Sequence, residues 1–70
     1  MLKTDSSLRN IRRTRTITQS ELAALAGVTQ ETISKAERGL LQLRPDVQAR
    51  VAAILGVTRQ ELFPVEEVSA

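Results

Sequence analysis

TQSELAALAGVTQETISKAERG, residues 18–39, holds two helix starts of one design. Thr18 is followed three residues later by Glu21. In that pairing the threonine hydroxyl accepts one orphan backbone N–H of a helix start and the glutamate accepts another. Ile17 precedes the cap and Leu22 follows it by four residues, the spacing at which two apolar side chains clasp the incoming chain. Thr29 repeats the cap, with Val28 and Ile33 at the same flanking places. Gly27 stands between, where a helix stops most readily on a residue with positive φ. The segment predicts a helix over Gln19–Ala26, a tight turn at Gly27–Val28, and a second helix over Gln30–Arg38 closed by Gly39.

Short helices joined by so tight a turn must cross steeply, and a small residue is needed where their backbones meet. Ala23 fits that place, and Leu22, Leu25, Ala26, Val28, Ile33 and Ala36 form the expected apolar seam. The exposed face of the second helix then carries Thr29, Gln30, Glu31, Ser34 and Lys35, side chains able to bond base edges. At these residues the segment resembles the helix-turn-helix of the phage repressor and Cro family, the xenobiotic-response-element type. The Thr-Gln-x-Glu-Leu-Ala opening, the Gly-Val-Thr turn, the Thr-Ile-Ser run and the Glu-Arg-Gly ending carry the likeness. It extends from Leu8 to Phe63, and it is the set of fragments that is specific, not any one of them. The resemblance implies a compact all-α domain of the phage repressor-like type and binding to double-stranded DNA.

Length and composition agree with one such domain. A chain of 70 residues buries only about 60% of its unfolded surface, so its core is marginal. Without cysteine or histidine it has no disulfide and no thiolate or imidazole metal ligand. No apolar run approaches the roughly 20 residues of a membrane span, and the expectation is a soluble protein. The resemblance adds a cytoplasmic, bacterial or phage-encoded, nucleoid-associated setting. Net charge is +2, unevenly placed: residues 1–44 hold eight Lys or Arg against four Asp or Glu, and residues 45–70 hold two against four. A basic front suits a face laid on a polyanion, although scattered surface charge also produces such imbalance.

The expected domain is 1–70, with an ordered core at about 5–64, the helix-turn-helix motif at 18–39 and a short acidic tail at 65–70. Asp5 is placed to cap a first helix running to about Thr14, with Leu8 and Ile11 facing inward and Arg9, Arg12, Arg13 and Arg15 making it basic. The resemblance pairs Arg12 with Glu37 as a partly buried ion pair. Relatives commonly carry glycine where Thr16 stands, so the threonine implies a different backbone conformation there and an altered approach of the first helix. After Gly39 comes Leu40-Leu41-Gln42-Leu43. Two readings stay open: two of these leucines close the core, or at least one is exposed at a subunit contact. Pro45 suits the first position of a fourth helix, with Val47, Val51, Ile54 and Leu55 at helical spacing and Gly56 as its stop. Thr58 and Glu61 form another capping box, opening a fifth helix that ends around Phe63 before Pro64. No period-two alternation predicts a strand.

If the second motif helix enters the major groove, Gln30 matches adenine, Glu31 matches the cytosine amino group, Lys35 matches guanine and Thr29 a thymine methyl, with Ser34 at the flank. Glu31 is equally explained by the positive end of the helix dipole. Gln19 and the basic side chains Arg13, Arg15, Arg38 and Arg44 are the candidate phosphate contacts. One copy would cover a single half-site, which favours a homodimer on a palindrome. In the resembled family the dimer surface lies around the last helices, which here suggests Leu40, Leu41, Leu43 and Phe63. The expected function is a sequence-specific DNA-binding transcriptional regulator, a repressor. The rival reading is an antitoxin or other protein-interaction module that docks a partner through the acidic tail at Glu66–Glu67. No catalytic constellation, metal cluster or phosphate loop is present in the sequence, so neither enzyme activity nor a cofactor is expected.

Overall fold

The computed structural model describes residues 7–63, and five helices occur among them: α1 Ser7–Thr14, α2 Gln19–Ala26, α3 Gln30–Glu37, α4 Pro45–Leu55 and α5 Arg59–Leu62. The Asp5 cap, the Pro64 stop and the acidic tail lie outside the described residues. The helix starts follow from their threonines. Thr18 accepts from the Glu21 backbone N–H while the Glu21 carboxylate accepts from that of Thr18, and Thr58 and Glu61 repeat the arrangement. Thr29 accepts from the Thr32 N–H without a reciprocal acid.

The helix ends share one device. At Gly27 and Gly56 the backbone turns left-handed, with φ of 75° and 73°. The residue after each glycine donates to the carbonyl five back: Val28 to Ala23 and Val57 to Ala52, each at 3.0 Å. The same pattern closes α1 on Thr16. Its N–H bonds Arg13 at 3.0 Å, and Ile17 bonds Arg12 at 3.3 Å, with φ of 53° at Thr16. The altered conformation expected at Thr16 is therefore not found. The threonine takes the backbone that glycine would have taken, and the cost is about 1–2 kcal/mol of steric strain. The turn geometry is over-determined by the bonds on either side of it.

One apolar core joins the five helices. Leu8, Leu22, Ala23, Ala26, Ile33, Leu43, Val47, Val51, Ala52, Leu55 and Leu62 are buried, with Ile11, Ile17, Val28, Ala36, Ile54, Val57 and Phe63 packed on them. Each fully buried leucine, isoleucine or valine contributes about 1.5–3 kcal/mol by leaving water. Leu25 does not belong to the seam in which it was expected, for it is 61% exposed. Successive residues of a helix turn by about 100°, so Leu22, Ala23 and Ala26 share a face and Leu25 points away from its centre. Of the three leucines after Gly39 only Leu43 is core, which excludes the reading in which two of them close it and places Leu43, a candidate subunit contact, inside the domain instead. Leu40 and Leu41 stay 66% and 41% exposed. Their loop is pinned by Gln48, a buried α4 residue whose Nε2 donates to the Leu43 carbonyl at 3.0 Å. Among the described residues no helix is long and apolar enough to cross a membrane.

Candidate nucleic-acid interface

Arg12 sits one turn after Leu8 on α1, on the buried side of the helix, which draws a guanidinium into the protein. It is compensated there from α3 and from the loop into α2. Its Nε and Nη2 donate to the two carboxylate oxygens of Glu37 on α3, the latter at 3.1 Å. Its Nη1 donates to the Ile17 carbonyl at 2.8 Å, tying down the loop into α2. Glu37 is 3% exposed and its side chain is wholly covered. Gln19 Nε2 donates to Glu37 Oε1 at 3.0 Å, and Arg9 Nε lies 3.6 Å from the same oxygen. Burial raises the pKa of this carboxyl, but the bonds from Arg12 and Gln19 and the charges of Arg12 and Arg9 outweigh it. The net effect holds the group below its ordinary value of 4.5, ionised at neutral pH.

The exposed polar face of α3 is linked to this pair through Gln19. Gln30, Glu31 and Lys35 are exposed and Ser34 is half-buried. Gln30 Nε2 donates to Gln19 Oε1 at 3.4 Å, a long bond joining the first residues of the two motif helices. Lys35 Nζ and Glu31 Oε2 are 3.2 Å apart in an exposed pair, which leaves two N–H groups of the ammonium and Oε1 of the carboxylate for other partners. Thr29 is held by its capping bond and by a 2.9 Å hydroxyl–hydroxyl contact to Thr32.

The candidate phosphate contacts separate. Arg13 is exposed, Arg38 bonds the Ser34 carbonyl of its own helix at 3.4 Å, and Arg44 is 3.8 Å from Asp46 with an 82% exposed side chain. Arg15 instead spans to another helix, its Nε donating to the Leu55 carbonyl at the end of α4 at 3.0 Å. It is a helix tether before it is anything else. Gln19 likewise has both ends of its amide engaged within the protein. Leu40, Leu41 and Phe63 line a groove between the α3–α4 loop and α5, beside Arg44, Pro45 and Arg59.

Two roles were absent from the sequence reading. Arg50 caps α2 by donating to the Ala26 carbonyl at 2.9 Å. Gln19 bridges the ion pair to Gln30 on the exposed polar face of α3. The only signal for the second was that Gln19 and Gln30 each directly follow a capping threonine.

The helix-turn-helix family model, HTH_3, matches residues 8–62. The chain belongs to the helix-turn-helix family. A helix-turn-helix protein of this type is a DNA-binding transcription regulator, and the α2–turn–α3 geometry is that of its motif. Among solved structures, the restriction-modification controller protein C.AhdI from Aeromonas hydrophila superposes with a TM-score of 0.76 at 28% identity, covering 81% of this chain and 86% of that one. A chain of the SinR protein/SinI protein complex gives 0.72 at 29% identity, covering 81% and 56%. The hydroxypropylphosphonic acid epoxidase from S. wedmorenis gives 0.75 at 30% identity, covering 90% of this chain but 36% of the epoxidase. No curated protein shows significant similarity to the sequence. The family and the controller protein point to a non-enzymatic regulator. Among the described residues no group of His, Cys, Asp or Glu is placed to hold a metal ion.

Proposed function

We propose that the chain is a sequence-specific regulator of transcription that lays α3 in the major groove, and that it acts in the cytoplasm as a homodimeric repressor on a palindromic operator. The observation that carries this reading is the polar face of α3, with Gln30, Glu31 and Lys35 exposed and Ser34 half-buried beside them, on a helix that a buried ion pair fixes to α1. Thr29 and these residues read bases, and Arg13, Arg38 and Arg44 meet phosphates. Arg15 and Gln19 reach a phosphate only beyond their internal bonds. The repressor role rests on the family resemblance. Two exposed leucines beside Phe63 support self-association through the α3–α4 loop.

The rival reading is an antitoxin-like module; the acidic tail expected to dock its partner lies outside the described residues, and the groove at Leu40, Leu41 and Phe63 is a second surface on which a protein partner would fit. Selection of binding sites from random duplexes separates the two. The proposal expects an enriched palindrome with half-sites about one helical turn apart. A pool that stays random would remove the regulator reading and leave the partner-binding one.

A further inference from the structure

We propose that Glu37, from beneath the reading face, fixes the hydrogen-bond polarity of Gln30 through Gln19 and so makes Gln30 a reader of adenine over guanine. The inference rests on α3 being the base-reading helix. A carboxylate offers acceptors only, and an amide offers a donor end and an acceptor end. Glu37 Oε1, already bonded by Arg12, therefore takes the Nε2 end of Gln19, at 3.0 Å. Turning Gln19 around would set its carbonyl oxygen against the covered carboxylate of Glu37 at a partly buried contact, two acceptors facing each other with no proton between them. Gln19 Oε1 consequently faces the other way and accepts from Gln30 Nε2 at 3.4 Å. The direction of the whole chain is set at the acid.

Gln30 is left with its carbonyl oxygen and one N–H. Adenine offers an acceptor at N7 and a donor at N6, which meets that pair one to one. Guanine offers acceptors at both N7 and O6, and would need the N–H that Gln30 already spends on Gln19. Glu37 touches no base, so its part is that of a positioning residue.

The test begins with a site selected from random duplexes, in which Gln30→Ala identifies the base pair that Gln30 faces. Competition titrations then compare adenine with guanine at that position for the wild type, Gln19→Met and Glu37→Gln. A ratio of affinities taken on one preparation does not depend on the folded fraction, so a destabilised variant still reports. The expected wild-type preference for adenine is about 5- to 150-fold. It should fall to within about threefold in both variants while discrimination at other positions is kept, because methionine breaks the chain and a neutral amide at residue 37 permits its reversal. Equal weakening on both duplexes with an unchanged ratio would overturn the inference and leave Gln19 as a phosphate or packing contact. A sequence-selective wild type with no adenine preference at that position would overturn it as well. A wild type that selects no sequence removes the base-reading role beneath it, a distinguishable result.

Discussion

Arg12 and Glu37 are the residues whose loss the domain tolerates least. Removing one partner strands a buried charge, which costs about 3–5 kcal/mol, against a total stability of about 5 kcal/mol for a domain of this size. Arg12→Met or Glu37→Leu alone should bring the domain close to unfolding, whereas the double replacement should lose much less. A double-mutant cycle on urea unfolding checks this, and additive losses below about 1 kcal/mol would reduce the pair to an exposed one. The cycle has a pH signature. Because the folded-state pKa of Glu37 is depressed, the unfolded chain binds more protons below its ordinary value of 4.5. The stabilisation is fully present above that value and is lost as pH falls through the depressed one. The unfolding midpoint of the wild type should drop more steeply in that window than that of the double variant, which keeps only other acids such as Asp46.

At the scale of helices, the starts were readable and the stops were readable wherever glycine marked them. Thr18, Thr29 and Thr58 cap as their spacing foretold. The end of α1 near Thr14 was readable, but the backbone at Thr16 was misread because a β-branched residue disfavours the left-handed region that the bonds from Thr16 to Arg13 and from Ile17 to Arg12 impose. Thr16→Gly should stabilise the domain by about 1 kcal/mol, less the entropy glycine adds to the unfolded chain. A rise of a few degrees in Tm is expected, and a fall would show the hydroxyl to matter more than the strain. The bond of Arg15 to α4 was not legible: an exposed arginine at a helix end looks the same in sequence whether it faces phosphate or a neighbouring helix. Since it bonds the Leu55 carbonyl, Arg15→Ala should cost about 1 kcal/mol of stability with little change in salt dependence. Arg13→Ala should do the reverse, flattening the log–log salt slope of DNA binding by about one unit. Equal salt effects from the two would return Arg15 to the phosphate contacts.

For the whole molecule, the all-α architecture and the helix-turn-helix motif were legible because capping, periodicity and motif agreed. The bridge through Gln19 was not, since nothing in a one-dimensional pattern reveals which amide meets a carboxylate across helices. A single copy should bury on the order of 600–1,000 Å² on DNA, too little for tight specific binding, and Leu40 and Leu41 offer an apolar surface for a second copy. Two chains per palindromic duplex by sedimentation, and a shift towards one with Leu40→Lys, are expected. One chain per duplex at full specific affinity would exclude the dimer. The reading role of α3 is tested most directly by measuring wild-type and Gln30→Ala affinities on a selected operator and on a random duplex at one salt concentration. Gln30→Ala should lose about 1–3 kcal/mol on the operator and almost nothing on random DNA. Equal losses on the two duplexes would contradict base reading by this helix.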